Sequence, residues 1–277
     1  MSGSSHSMTS MARHAVMLLG GGVITEIAPL SGGDISELWR VGLEDNRRFV
    51  IKTGPTPIIE ADMLRALQKA GAPTPKVLAA DAQLLVMEFL PHHDALSSCW
   101  ADLGRVLRRL HDHPQPARYG WEKDFSFGEL AIPNGWHDDW AIFWRNCRLL
   151  VHLSYLPAKL ARRLEKLAST LPDRLPRKPF PALLHGDLWS GNVLAESGRI
   201  TGLIDPACCV GDASAEFAML TLFARPNRDF WESYGGPPAG YGETIFIYRL
   251  WPALVHFRLF GGSYHAMVSA LLDNLGV

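Results

Sequence analysis

The sequence predicts an α+β chain of two lobes, a small antiparallel-sheet lobe followed by a larger, mainly helical one. Three observations predict it. Residues 23–53 form short apolar runs separated by turn residues, the signature of strands. Residues 98–112, 136–153 and 157–171 carry apolar side chains at helical spacing, and the chain reads mainly helical again from Ser214. Between these helical stretches lies a loop-rich segment, residues 183–206, where Asp187, Asn192 and Asp205 stand out from apolar and glycine-rich surroundings.

The elements follow in order. Residues 1–10 are rich in Ser, Gly and Met and are expected to form a flexible tail. The apolar stretch 15–24 is not expected to act as a signal peptide, because Gly20, Gly21 and Gly22 interrupt it and no small-residue cleavage site follows. Residues 23–30, 35–41 and 48–52 are the first three strands, with Asp45-Asn46 turning the chain between the last two. Residues 58–70 place Met63, Leu64 and Leu67 on one helical face, and Gly71 stops the helix. Residues 84–90 add a further apolar strand. The lobes are expected to be residues 11–92 and 93–277.

Composition narrows the class. The chain has 277 residues, 47% of them hydrophobic and 20% charged, which is ordinary for a globular protein and argues against global disorder. Lysines and arginines number 27 against 28 acids, so bulk positive charge gives no support to a nucleic-acid binder. Nine basic and two acidic residues fall within residues 145–178, and a solvated helix face accounts for them. No apolar run reaches the roughly 18 residues of a membrane span, so no membrane role is expected. Cys99, Cys147, Cys208 and Cys209 make no CxxC pair, which suits ordinary buried thiols in a reduced, cytoplasmic chain. His111 and His113 lack a completing ligand at metal spacing.

The chemistry is concentrated in HGDLWSGNV and IDP. Phosphoryl transfer needs a carboxylate to receive the acceptor's proton and oxygen ligands for a magnesium that keeps most of its waters. Asp187 is followed by Asn192 at the D-x4-N spacing of kinase catalytic loops, and Asp205 follows after a strand. A hairpin over residues 193–204, turning near Ser197-Gly198, would return Asp205 to Asn192. Either residue alone could support a turn; the set at this spacing points to a protein-kinase-like bilobal fold binding ATP and Mg2+.

The small lobe should then hold the nucleotide. Lys52 ends a strand, as a phosphate-contacting lysine does. Glu60 opens the next helix and is the favoured partner for it; Asp62 competes. Gly32 and Gly33 could cover the phosphates with backbone, although Ser31-Gly32-Gly33-Asp34 is not G-x-G-x-x-G and a plain hairpin turn is the alternative. Backbone groups near Glu88 and Leu90 would read the adenine edge, where a buried strand end is the alternative.

HGDLWSGNV followed by IDPA resembles the fructosamine kinase (ketosamine-3-kinase) family, relatives of aminoglycoside phosphotransferases and choline kinases. Trp189 and the Pro-Ala after Asp205 point to that family in particular. SGGDISELWRV with FVIKTG, LGRVLRRLHD, PNGW and LVHFRLFGGSY agree, so the resemblance spans about residues 20–275. It implies transfer of the ATP γ-phosphate to the 3-hydroxyl of a ketosamine, free or on a glycated protein, which labilises the adduct and repairs glycation. It implies Asp187 as base, Asn192 and Asp205 as metal ligands, and Lys52 with Glu60 on the ATP side. Asn134 and Trp136 fall in what resembles a substrate-side insertion. Trp189 could stack on a sugar ring, with core packing as the alternative. His185 is expected to brace the loop. Ser214 and the Cys209-Val210 pair depart from the family's usual residues. A monomer is expected. The rival readings are another small-molecule kinase of the aminoglycoside or choline type, and a nucleotide-binding pseudokinase.

Overall fold

The computed structural model describes residues 2–30 and 36–277. The chain opens with a helix, α1 (Ser2–Leu18), and then forms β1 (Ile24–Pro29), β2 (Leu38–Leu43) and β3 (Arg48–Thr53). Helix α2 (Pro57–Lys69), β4 (Val77–Ala80) and β5 (Leu84–Glu88) complete the small lobe. Its five strands are ordered β1-β2-β3-β5-β4 and every neighbouring pair is antiparallel.

The period-2 alternation of a strand puts β3 between two cores. Phe49 and Ile51 face one side, where they join Trp39, Val41, Leu84 and Val86. Val50 faces the other, against Ala61 and Leu64 of α2. Lys52 shares the parity of Val50, so it points toward α2.

Helix α1 corrects the expected flexible tail over residues 1–10. Ala12, Ala15 and Val16 are buried on the Phe49 face of the sheet, with Met8 and Met11 packed beside them. The spacing 8, 11, 12, 15 is an apolar helical stripe; the Ser-rich composition around it hid the pattern. An ion pair of 2.8 Å between His14 and Asp81 ties the helix to the loop before β5.

The larger lobe begins with α3 (Trp100–Asp112). Four short strands follow: β6 (Tyr119–Trp121), β7 (Phe125–Phe127), β8 (Leu130–Ile132) and β9 (Gly135–His137). The expected helix over residues 136–153 is instead β9, then α4 (Trp140–Trp144), a π-helical turn (Arg145–Leu149) and a 3-10 turn (Leu150–Tyr155). Helix α5 (Ala158–Arg174) precedes β10 (Ala182–Leu184), the hairpin β11 (Val193–Glu196) and β12 (Arg199–Leu203), and β13 (Cys209–Gly211). Helices α6 (Ala213–Phe223), α7 (Arg228–Tyr234), α8 (Tyr241–Phe260) and α9 (His265–Asn274) close the chain. Strands β10, β13, β6 and β9 form a four-stranded sheet that the apolar pattern of such short segments did not reveal.

One large core binds this lobe together and reaches Met63 and Leu67 of α2. The seam is also hydrogen-bonded: Leu203 N–H donates to the Pro73 carbonyl at 2.8 Å, and His93 and Asp94 N–H both donate to Ala195 at 3.1 Å. All four cysteines are buried and unpaired. Among the described residues no helix is long and apolar enough to cross a membrane.

Candidate active site

The cleft between the lobes has a volume of about 810 Å3. Lys52, Glu60, Asp187, Asn192 and Asp205, which come from both lobes, all line it.

On the small-lobe side, Lys52 Nζ donates to Glu60 Oε1 at 2.7 Å and to Asp205 Oδ1 at 3.0 Å. Both Lys52 and Glu60 are buried. Burial alone would push the Lys52 ammonium down, but the two carboxylates outweigh it and hold its pKa above the ordinary value. Burial pushes the Glu60 carboxyl up, against the pull of Lys52. The choice between acids is decided: Asp62 instead faces Arg65 and Lys123 on the surface.

On the large-lobe side, the loop after β10 carries Asp187. Gly186 adopts φ +83°, and a Cβ there would lie 2.0 Å from the Ala207 carbonyl oxygen, so only glycine fits. The loop is braced from beneath by Glu216, whose carboxylate accepts from His185 N–H at 2.5 Å and Gly186 N–H at 3.1 Å. His185 Nε2 bonds the Ile204 carbonyl at 2.9 Å, which joins the loop to the end of β12. That is the bracing role expected for His185; burial lowers its pKa, so the ring stays neutral.

Asn192 Nδ2 donates to the Asp187 carbonyl at 2.8 Å and to Asp187 Oδ2 at 3.0 Å. Among the described residues the Asn192 amide oxygen has no hydrogen-bond partner. The hairpin β11–β12 returns the chain as its spacing implied, and Ile204 N–H donates to the Asn192 carbonyl at 3.1 Å. Asp205 then adopts φ +56°, a left-handed conformation that costs a non-glycine residue about 1–3 kcal/mol. Burial, with the Asp205 charge close by, pushes the Asp187 carboxyl up to about 7.

Known proteins resemble the chain over nearly its whole length. Residues 7–276 match the fructosamine kinase family. The chain belongs to that family. A probable ketoamine kinase from Synechocystis is 33% identical over 275 residues, spanning 91% of this chain and 90% of that protein. One from Escherichia coli K12 is 30% identical, spanning 93% and 95%. A crystal structure of a candidate fructosamine-3-kinase from Thermobifida fusca superposes with a TM-score of 0.85 at 26% identity, over 95% of this chain and 97% of that one. A crystal structure of the aminoglycoside phosphotransferase APH(4)-Ia with ADP and hygromycin B shares the fold, with a TM-score of 0.66 at 19% identity, over 95% and 98%. The enzyme is thus an ATP-dependent kinase on a protein-kinase-like fold.

The remaining expected site residues scatter. Trp189 lines the cleft and is 38% exposed; its ring lies over Gly191, where a Cβ would approach it to 2.3 Å. Gly32 and Gly33 lie outside the described residues. Glu88 and Leu90 are not in the cleft wall, which β5 reaches through Leu85. Glu88 N–H is spent on the Lys76 carbonyl, and the Leu90 carbonyl bonds His92 Nδ1 at 3.1 Å.

Asn134 is buried away from the cleft. Its Oδ1 accepts from Arg148 Nη2 at 2.7 Å and its Nδ2 donates to the Lys123 carbonyl at 2.9 Å. The Arg148 guanidinium is itself buried; Asn134 and the Pro133 and Cys147 carbonyls accept from its two Nη groups, while its Nε has no partner among the described residues. Trp136 sits in β9 with the Arg118 guanidinium 4.4 Å from its ring centre. The wall opposite the catalytic loop comes instead from Phe125–Phe127, the end of α6, the end of α8 and Tyr264. Sequence reasoning missed these residues, because each segment is an ordinary apolar run until the fold brings them together. The segment LVHFRLFGGSY, which holds His256, Phe260 and Tyr264, is the one sequence signal for them.

Proposed function

We propose that this sugar-amine kinase transfers the γ-phosphoryl group of ATP to the 3-hydroxyl of a ketosamine, and that the labile product releases its amine and so repairs glycation. One observation carries the reading. Asp187 with Asn192, and Lys52 with Glu60 and Asp205, meet in one cleft, a proton acceptor on one side and a fixed cation on the other.

In the step, a bond forms from the acceptor oxygen to the γ-phosphorus as the bond from that phosphorus to the β,γ-bridging oxygen breaks, and ADP leaves. Asp187 receives the hydroxyl proton. Its carboxyl, held near 7, is in the range where a base can take a proton and later release it. Asn192 holds the Asp187 side chain in place, and Glu216 fixes the backbone that carries it. Lys52, oriented by Glu60, would neutralise phosphate oxygens.

The donor set fits Mg2+. The unengaged Asn192 amide oxygen and the second Asp205 oxygen are hard ligands, and their small number suits an ion that keeps several waters. When bound, Mg2+ would neutralise charge on the nucleotide phosphates. Among the described residues the carboxylates lining the cleft are Glu60, Asp187 and Asp205, all at the phosphoryl-transfer end, which disfavours a polycationic aminoglycoside as acceptor.

The test is Mg-ATP consumption with synthetic ribulosamine and fructosamine, beside kanamycin and choline, with the product identified by phosphorus NMR. Ketosamine-dependent turnover giving a 3-phosphate is expected. Turnover on kanamycin or choline alone, or nucleotide binding with no turnover on any acceptor, would overturn the reading.

A further inference from the structure

The acceptor half of the cleft is lined by rings. Phe223 ends α6, His256 and Phe260 lie on α8, and Tyr264 follows in a 3-10 turn. The four form one cluster around His256: ring centres are 4.9 Å away for Phe223, 5.0 Å for Tyr264 and 5.5 Å for Phe260. All four line the cleft that holds Asp187.

The wall is uncharged. His256 Nδ1 donates to the Pro252 carbonyl at 2.8 Å, and burial lowers the ring's pKa, so His256 stays neutral. The wall is also open. Of the five Phe, Tyr and Trp side chains that are exposed among the described residues, three (Trp189, Phe223 and Phe260) line this one cleft. Exposed rings gathered in a concavity beside a catalytic base mark a ligand surface, since large apolar groups elsewhere are mostly buried.

Resting on the ketosamine reading above, we infer that this ring wall selects ketosamines whose amine carries an apolar, ring-bearing substituent, such as an arylalkylamine, over those built on polar or polycationic amines. The sugar would lie toward Asp187, and the amine substituent would run over Phe223, Phe260 and Tyr264. Among the described residues no carboxylate stands beside these rings to pair with a secondary ammonium, and their aromatic faces can take that part. A phenyl substituent would bury apolar area against the same rings.

The experiment compares kcat/KM for fructosamines of benzylamine, lysine, glycine and spermidine on the full chain, with choline as a control. The benzylamine adduct is expected to exceed the others by about tenfold or more, mostly through KM, because this contact is made equally in ground and transition states. Phe260→Ala should shrink the ratio of benzyl to lysine adduct at least about fivefold, with kcat on the benzyl adduct within about twofold. Phe223→Ala repeats the test from another helix should the first variant misfold. Equal or reversed ranking, a preference for the spermidine adduct, or variants that lower every acceptor alike would overturn the inference alone. Turnover of choline without any ketosamine turnover would overturn it together with the proposed function.

Discussion

The two halves of the cleft are built from opposite materials. The phosphoryl half is a set of charges: Lys52 between Glu60 and Asp205, with Asp187 and Asn192 beside them. The acceptor half is a neutral wall of Phe223, His256, Phe260 and Tyr264. The charged half is held by short bonds from fixed backbone positions, and even its strain at Asp205 is specified by the turn after β12. The ring half is held by packing between helix ends. The difference teaches how one fold keeps a reaction and varies its acceptor. Transferring charge demands exact groups at exact places, whereas apolar contact tolerates exchange of side chains of similar size.

The largest expected effect tests the charged half at its centre. Asp187→Asn should lower kcat by about 10^3-fold while ATP affinity changes little, since a general base contributes roughly 10^2- to 10^4-fold. Steady-state kinetics with nucleotide titration would show it, and wild-type turnover in the variant would remove Asp187 from the base role.

Next comes the ion pair across α2. Glu60→Gln leaves a buried ammonium with one carboxylate, and breaking a buried pair costs on the order of 3 kcal/mol. Thermal melting should fall and KM for ATP should rise at least about tenfold. Asp62→Asn, on the exposed side of the same helix, should leave both near wild type. Equal effects from the two variants would mean that the charged half is less specific than its geometry implies.

An effect confined to acid pH separates the cleft's charges from those of the helical lobe's interior. His152 is buried with both ring nitrogens lacking a hydrogen-bond partner among the described residues, and burial with Arg258 and Arg148 nearby pushes its pKa down to about 3. Because the folded value lies below the ordinary 6.5, the unfolded chain binds the extra proton. The stability this neutral ring confers is present above about pH 6.5 and is lost as pH falls toward 3, by up to about 1.4 kcal/mol per pH unit. Urea midpoints for His152→Leu should therefore depend less on pH than wild type over this window. Parallel curves would assign the acid limb to other groups, the cleft carboxylates among them.

The smallest effect marks the edge of the ring half. Trp136→Ala should leave the acceptor KM within about twofold, because its ring carries Arg118 outside the cleft wall. A large rise in KM would extend the acceptor surface to β9 and return Trp136 to the substrate side.

What was legible in the sequence follows the same division. Asp187, Asn192 and Asp205 lie within nineteen consecutive residues, and a loop and a hairpin of fixed length bring them together; local chain geometry was enough. Lys52 and Glu60 are eight residues apart, joined by a strand end and a helix start, so they too were within local reach. The two-lobe α+β architecture was readable from periodicity, and helix α1 was not, because polar composition masked its apolar stripe. The sheet of β6, β9, β10 and β13 was not readable either: three-residue strands carry too little pattern to mark themselves. Asn134 and Trp136 looked like acceptor residues because polar and aromatic side chains in a loop-rich insertion do not show which way they face. The buried Arg148 and the Lys123 carbonyl hold Asn134 inward. The ring wall joins residues from 223 to 264; His256, Phe260 and Tyr264 follow helical spacing, but no spacing rule links them to Phe223, since that meeting depends on how α6 and α8 pack. The sequence by itself determined the charged set of the cleft, because short loops fix the separation of its members. The tertiary structure alone decided the acceptor surface, because long-range packing chooses which apolar side chains are left exposed.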